Sequence, residues 1–520
     1  MTAWIRPMQD ASVGRASYAP ELLTLPPSPW SRAGVPLAMA LLLAGCSMAP
    51  SYQRPVMDVP ATFKEATPEA AELGVWQPAR HGGEGADRAQ PGAVPAAWWT
   101  LYGDTTLNRL QEQAAAASPT VEQAVARLRA AQAAVASSRA SLFPVLSATG
   151  SGSRARAGSN TSGSSGINNS YSLGLNASWE VDLWGRLSGQ LTADRLSAQA
   201  SADDLAAASL SSQATVAQTY FSLRTAEAQM QLLQDSLQAY QQSLQMTQNR
   251  YRAGVVSSAD VAQAESQYKS TQAQLLEAQI TRAQFEHALA ALLGQAPATF
   301  SLPVTGQLPV PPQVPALLAS TLLEQRPDIA AAERRVAAAN AQVGVARAAY
   351  FPALTLSTAG GYRGSTLSHL LSAPNLFWSL GPALALTLFD GGARTAAVES
   401  ARAALDLAGA TYKETVLTAL QEVEDNLVAA THLSQEQQVQ AEAVSAAQKA
   451  LTVATNQYKA GTVAYLNVLS AQTTVLSAQN TLISVQNRRL AAINTLLKNV
   501  AGNWDSQAGQ AALAETGARE

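Results

Sequence analysis

Cys46 is the only cysteine among 520 residues, and its surroundings suggest what its thiol could do. Without a second thiol it cannot form an intramolecular disulfide. It follows an apolar stretch, 35–44, that ends in small residues and is preceded by three arginines. A charged, then apolar, then small-residue order is typical of a secretory signal, and about ten apolar residues are too few to span a bilayer. The thiol therefore lies where an exported chain could be acylated.

The tetrapeptide LAGC, residues 43–46, resembles a bacterial lipobox, in which the cysteine is lipidated and becomes the first residue of the mature protein. We therefore expect a signal peptide at 1–45 and, on Cys46, a diacylglycerol and an N-acyl chain. In such lipoproteins an aspartate after the cysteine would favour the inner membrane, so Ser47 favours the outer membrane. The alternative interpretation is a buried cysteine near the N-terminus.

The remaining residues give no sign of catalysis or of metal binding. Four histidines are scattered without metal-ligand spacing, and they are His81, His287, His369 and His432. The sequence therefore predicts that the protein is not an enzyme and uses no cofactor apart from the acyl chains. A net charge of −3 offers no basic patch for nucleic acid. After the signal, no apolar run is long enough for a transmembrane helix, so a membrane crossing would require a barrel of strands.

The chain contains one large duplication. Residues 119–147 match 327–355 at a constant spacing of 208 positions, and 250–261 match 457–468 at a spacing of 207. This period is far longer than that of a solenoid repeat. The predicted organisation is a lipidated extended segment at 46–104, repeat 1 at 105–297, a Pro-rich linker at 298–314, repeat 2 at 315–504 and a flexible tail at 505–520.

Each repeat contains a proline-free block that predicts a helical hairpin. Gly254 is the only glycine within 190–293, and Gly461 is the only one within 410–500. Glycine commonly ends a helix in the left-handed conformation, so both are expected at hairpin tips. The first arm, 185–251, would be about 100 Å long at about 1.5 Å per residue, and such a length needs a partner along its whole extent.

Apolar residues at heptad spacing indicate how these arms pack. On the first arm they are Val216, Leu223, Met230, Leu237, Leu244 and Tyr251; on the returning arm they include Val261, Tyr268 and Leu275. The apolar stripe is narrow, and Gln, Ser, Thr and Ala occupy the other faces. This pattern favours coiled-coil hairpins packed side by side over a closed helical bundle.

Alternating apolar and polar residues predict strands at 171–183 and 376–389, with weaker candidates at 145–154 and 353–363. Strands of about ten residues that are apolar on one face fit a membrane, whereas a soluble sandwich needs more than four strands. We expect Leu173, Leu175, Trp179, Leu384 and Leu386 to face lipid, and Asn176 and Ser178 to face the other way. Four strands cannot close a barrel, and open edges are not tolerated in lipid, so the chain must oligomerise around an axis.

Several segments resemble the TolC-like outer-membrane efflux proteins, in particular their lipoprotein branch of the NodT type. They are AGCSMAPSYQRP, AAWWTLYGDTTLNRL, FPVLS, WEVDLWGR, QRPDIAAAE, FPALTLS, LFDGGAR and QYKAGTVAYLNVLSAQ. The resemblance covers nearly the whole mature chain, in order and in duplicate. It implies a homotrimer with a twelve-stranded barrel in outer-membrane lipid and a twelve-helix periplasmic tunnel, working with an inner-membrane pump and a periplasmic adaptor.

The predicted fold class is mixed and mostly α: an internally duplicated chain with long coiled-coil helical hairpins and four transmembrane β-strands, forming a trimeric β-barrel/α-barrel tunnel. The predicted function is that of an outer-membrane channel lipoprotein in a tripartite efflux system, a passive exit duct for drugs or other small molecules. It would be lipid-anchored, with its tunnel projecting into the periplasm. The alternative is a coiled-coil scaffold or adhesin lipoprotein without channel activity.

The hairpin turns are the predicted adaptor-docking site, because they would lie at the end farthest from the barrel. The residues concerned are Gly254, Val255, Gly461 and Thr462. Relatives close the periplasmic aperture with a ring that includes an aspartate about thirteen residues before the second tip glycine. Here that position is Gln448, with Glu442 nearby, so a cation preference like that of the relatives is not expected to carry over unchanged.

Overall fold

The computed structural model describes residues 48–57, 63–64, 97–156, 167–314 and 326–500. Seven α-helices and four strands occur in these ranges: α1 (Thr105–Ala117), α2 (Pro119–Ala140), β1 (Val145–Arg156), β2 (Ile167–Val181), α3 (Arg186–Arg252), α4 (Ser258–Leu292), α5 (Pro327–Ala348), β3 (Ala353–Gly364), β4 (Leu376–Ala385), α6 (Ala393–Lys459) and α7 (Tyr465–Val500). None of the helices in the described part of the chain is both long and apolar enough to cross a membrane.

The two halves of the chain repeat the same succession of elements. A 22-residue helix, two strands, a 67-residue helix and a shorter helix follow one another in each half. The first long arm, predicted at 185–251, is α3 at Arg186–Arg252. The predicted hairpins, α3 with α4 and α6 with α7, are therefore present.

The long helices are packed along their sides, but the buried stripe shifts along α3. Val216 and Leu223 are buried as the heptad pattern predicts, whereas Tyr251 is exposed. Nearer the tip the buried row is instead Leu233, Tyr240 and Thr247, three positions out of step with the predicted one. A straight helix drifts about 20° per heptad, so a strict seven-residue row cannot keep facing one neighbour over 67 residues.

The main hydrophobic core lies where α1 and the turn before it pack on the middle of α3 and the end of α7. Its largest fully buried side chains include Trp98, Tyr102, Phe221 and Leu490. The ring centroids of Tyr102 and Phe221 are 4.8 Å apart. Burial of each large apolar side chain contributes about 1.5–3 kcal/mol, so this cluster fixes the two long hairpins relative to each other.

The four strands form one antiparallel sheet in the order β1-β2-β3-β4, and the β2–β3 pairing joins the two halves. In the register of the sheet, Leu175 on β2 pairs with Gly360 on β3, and Gly360 pairs with Trp378 on β4. The prediction for the last strand was wrong at its end, because β4 stops at Ala385 rather than at 389. Ala385 pairs with Ala353, the first residue of β3, so Leu386 has no partner strand and lies outside the sheet.

The two faces of the sheet differ as predicted. Leu173 and Leu175 on β2 are about half exposed. They share one face with Leu384, because the register pairs Leu384 with Leu354 and Leu354 with Val181. On the opposite face, the Asn176 side-chain amide donates to Thr149 Oγ1 at 3.0 Å. The sheet therefore has one apolar face and one polar face.

Candidate functional site: the hairpin tips

The two hairpin turns lie side by side and line a shared open cavity of about 470 Å³. All four residues predicted for this end contribute to its wall: Gly254, Val255, Gly461 and Thr462. The structure thus brings the tips of both repeats together in one chain.

Each turn is closed by the same pair of backbone hydrogen bonds. At the first tip, the Val255 amide donates to the Arg250 carbonyl at 2.9 Å and the Gly254 amide donates to the Tyr251 carbonyl at 2.8 Å. At the second tip, Thr462 donates to Gln457 at 3.0 Å and Gly461 donates to Tyr458 at 3.0 Å. Both glycines have positive φ, +73° and +78°, a region that side chains with Cβ atoms seldom occupy.

Arg250 connects the first tip to the second. Its Nη1 donates to the carbonyl oxygens of Tyr458 at 2.8 Å and Lys459 at 3.3 Å, which are the last residues of α6. Its guanidinium carbon also lies 4.7 Å from the centroid of the Tyr458 ring. A cation is favoured at a helix C-terminus, where unpaired carbonyls carry partial negative charge. Sequence reasoning missed this residue, although Gln457 at the equivalent repeat position marks it as a difference between the two halves.

An aromatic cluster supports the cavity from below. Tyr458 and Tyr465 are buried, and their ring centroids are 5.5 Å apart. Ser243 on α3 donates to the Tyr465 hydroxyl at 3.3 Å. Burial raises the pKa of Tyr465, so its hydroxyl stays neutral. The cluster also contains Val468, and it gives the turns a firm base.

The two tips present different surfaces even though they are repeats. Ser257 caps α4 by accepting from the Asp260 amide, and the Asp260 carboxylate accepts from the Ser257 amide in return. Tyr251 is 49% exposed, whereas its counterpart in the second repeat, Tyr458, is 4% exposed beneath Arg250. A partner that approaches this end would therefore meet an exposed tyrosine on the first hairpin but not on the second.

The predicted aperture residues are both on α6 and both exposed, but the structure does not bring them together. Glu442 and Gln448 are six residues apart, which places them about 9 Å apart along the helix axis and on different sides of it. The Gln448 backbone carbonyl accepts from Thr452 Oγ1 at 2.9 Å. Their role at an aperture stays a prediction.

Comparison with known proteins agrees with this architecture. The family model described as Outer membrane efflux protein matches residues 110–295 and 318–502. The chain belongs to this family.

The matches between this efflux protein and its relatives cover nearly the whole length of both chains. It is 33% identical to the probable efflux pump outer membrane protein TtgC of Pseudomonas putida, over 91% of this chain and 96% of the relative. It is 30% identical to the cation efflux system protein CusC of Escherichia coli, over 84% and 92%. The solved outer-membrane channel OprN superposes with a TM-score of 0.75 at 29% identity, covering 88% of this chain and 100% of that one.

These findings confirm the predicted fold class, a mostly helical, duplicated chain with transmembrane strands in the tunnel fold of outer-membrane channels. They also confirm the prediction that the protein is an efflux channel of the outer membrane with its tunnel in the periplasm. As the outer-membrane component of an efflux pump, it works with other pump proteins. The scaffold or adhesin alternative finds no support in these relatives.

The predicted lipid-attachment residue of the efflux protein, Cys46, lies outside the described residues. The segment just after it, 48–57, runs antiparallel to α5. Ala49 lies against Gly344, and Arg54 pairs with Glu333 at 3.4 Å. Asn340, between these two, donates to the Pro50 carbonyl at 2.8 Å. The N-terminal end of the segment thus points along α5 towards the sheet.

A cluster of charged side chains in the efflux protein, which sequence reasoning also missed, binds the Pro-rich linker. Buried Arg224 donates to Glu227 at 2.6 Å and to the Pro303 carbonyl at 2.9 Å. Arg282 pairs with Glu227 and with Glu286 at 3.4 and 2.7 Å. Every charged group here has an opposite partner, and the arrangement fastens the linker rather than leaving a free acid or base. Among the described residues, no group of acids, histidines or cysteines could hold a metal ion.

Proposed function

We propose that this protein is the lipid-anchored, homotrimeric exit duct of a tripartite efflux system, through which drugs or other small molecules leave passively. The observation that carries the proposal is a sheet with two open edges attached to 67-residue helices. Among the described residues, β1 and β4 each pair with one neighbouring strand only. Unpaired strand edges are not tolerated in lipid, so these edges must pair with other copies. Three copies supply twelve strands, in keeping with the resemblance described above.

The lipid anchor at Cys46 is supported by the course of the N-terminal segment. Ala49 contacts Gly344, four residues before the end of α5 and nine before β3 begins. Cys46 precedes Ala49 by only three residues in the sequence. Acyl chains on Cys46 would therefore have a short path to the membrane that receives the sheet.

Adaptor docking at the tips is supported by their shape and firmness. The cavity between the turns is open, and its base is formed by buried tyrosines and Arg250. We expect an adaptor helical hairpin to seat beside Gly254, Val255, Gly461 and Thr462, with an inner-membrane pump delivering the substrate. No catalytic step is assigned to the channel, and it requires no cofactor other than the acyl chains. Gln448 and Glu442 are assigned to the aperture.

Conductance of single channels in planar bilayers tests the proposal. We expect stepwise conductance from the purified full-length protein, and loss of small-molecule resistance in cells that lack it. A matched control is the same protein carrying Leu175→Arg, which should not insert. Full membrane insertion without any conductance, under conditions that open relatives, would overturn the duct. Relatives are named for toluene efflux and for cation efflux, so both classes belong in the resistance panel.

A further inference from the structure

Two arginines on the membrane-facing side of the sheet are not explained by channel function. Arg154 pairs with Asn169 and Arg156 pairs with Ile167 at the end of the β1–β2 hairpin away from the helices. Side chains alternate along a strand, so both arginines share a face with Leu146 at the start of β1. The register continues this face into Leu173 and Leu175 on β2.

The position of the arginines relative to the membrane follows from the length of the apolar band on the same face of the sheet. On β2, the uninterrupted apolar part of this face runs from Val181 to Tyr171, ten residue steps or about 33 Å along the strand, and the next residue on the face is Asn169. With the usual strand tilt this corresponds to about 25 Å of height, the apolar thickness of such membrane proteins. Tyr171 pairs with Gly152, two residues before Arg154, and its ring lies over that glycine. Arg154 therefore stands immediately beyond the end of the apolar band, at the level of lipid headgroups.

No carboxylate of the sheet can neutralise these arginines, because Glu180 of β2 lies at the opposite end of the strand and is bonded to Arg186. The sequence contains no aspartate or glutamate from 123 to 179, a range that includes β1 and its loop to β2. It contains none from 353 to 385, which spans β3, β4 and the loop between them. Both arginines are exposed. The second repeat has Tyr362 and Gly364 at the matching positions, so each chain has one such pair.

At this height, the membrane itself offers an anionic partner. Because the helices project into the periplasm, the opposite end of the sheet meets the outer leaflet, whose lipopolysaccharide carries phosphate groups. Guanidinium groups bind phosphate with paired, charge-assisted hydrogen bonds. We propose that Arg154 and Arg156 form a binding site for the phosphates of lipopolysaccharide in the outer leaflet.

Binding of lipopolysaccharide to the purified full-length oligomer tests this site, with chemically dephosphorylated lipopolysaccharide as the second ligand. The double variant Arg154→Gln/Arg156→Gln should bind the phosphorylated form about 25-fold more weakly, or about fivefold for each arginine. The wild type should lose affinity to a similar extent when the phosphates are removed. The double variant should no longer distinguish the two ligands.

Arg363→Gln is the matched control, because Arg363 pairs with Ser172 and lies on the polar face of the same sheet. It makes a cation–π contact with Phe377 at 5.0 Å and should leave binding unchanged. If the double variant does not assemble, Arg156→Gln alone, at the last residue of β1, should show the fivefold loss. Unchanged binding by the arginine variants, an equal loss in Arg363→Gln, or indifference of the wild type to phosphate removal would each overturn the site.

Discussion

Arg250 Nη1 lies 2.8 Å from the carbonyl oxygen of Tyr458, a residue 208 positions later in the chain. This contact joins the tips of two hairpins that the sequence repeats but does not otherwise connect at this end. The bonded carbonyls belong to the last turn of α6, where a positive charge is stabilising. Together with the Ser243–Tyr465 hydrogen bond below it, this side chain fixes the spacing of the two turns.

Arg250→Ala should loosen the tips without unfolding the channel. A hydrogen bond from a charged donor contributes about 1.5–3 kcal/mol, and its loss would free the end of α6 to fray. We expect faster amide exchange at 455–464, measured by hydrogen–deuterium exchange. Arg252→Ala is the control, because Arg252 bonds to Asn249 on its own helix rather than to the second tip. Equal exchange in both variants would show that Arg250 does not couple the tips.

Leu175→Arg should reduce assembled channel in the membrane, while Asn176→Arg should not. The two residues are adjacent on β2 and face opposite sides of the sheet, and Leu175 is 56% exposed on the apolar side. An arginine on the lipid face near the membrane centre costs about 2–4 kcal/mol, and the assembly repeats that cost in every copy. The oligomer fraction after gentle detergent extraction gives the measurement. Equal losses would refute the assignment of faces.

Much of this architecture could be predicted because local chemistry determines it. Gly254 and Gly461 each supply the positive φ with which a helix ends. The alternation of apolar and polar residues around Leu173 and Leu175 identifies a strand with one apolar face. Arg250 could not be assigned from sequence, because its partners are 208 positions away and are backbone atoms. The ion pairs of Arg224 and Glu227 were missed because i, i+3 charges occur on most solvated helices.

Cys46→Ser should block acylation and processing. The variant would keep its signal, run as a larger product and incorporate no labelled palmitate. Export should fall less than lipidation, because the sheet itself enters the membrane. Labelling with palmitate followed by electrophoresis measures both effects, with Ser47→Ala as the control that keeps the thiol. Label that persists in Cys46→Ser would refute the lipid assignment.

Acid should weaken the junction between α5 and α6. Burial alone would raise the pKa of Asp328, but hydrogen bonds from Arg326 at 2.7 and 3.0 Å and its charge outweigh that effect and lower the pKa. Because the pKa of Asp328 is lower in the folded protein than its unfolded value of 3.8, the ionised carboxylate stabilises the folded state above that pH. This stabilisation is lost as the pH falls through the folded-state pKa. Arg326 also reaches Glu422 on α6 at 3.5 Å.

The melting temperature of the wild type should therefore fall steeply below about pH 4, and Asp328→Asn should make that fall shallower. Because the amide cannot carry the charge, the variant should also be less stable near neutral pH. Identical pH profiles for the two proteins would mean that Asp328 does not contribute through its ionisation.

Gly461→Val should abolish adaptor docking but leave assembly of the oligomer intact. Gly461 has a φ of +78°, and a β-branched residue is strained there whatever the space around it. The turn must then distort, which moves Thr462 and the carbonyls bound by Arg250, while the sheet and the core at Phe221 lie far along the helices. We expect normal oligomers in the outer membrane, loss of efflux and loss of cross-linking to the adaptor. Thr462→Ser, which keeps the hydroxyl bonded to Gln457 at 3.0 Å, should retain both activities. If Gly461→Val and Gly254→Val both left resistance and cross-linking intact, the adaptor would have to dock elsewhere on the tunnel.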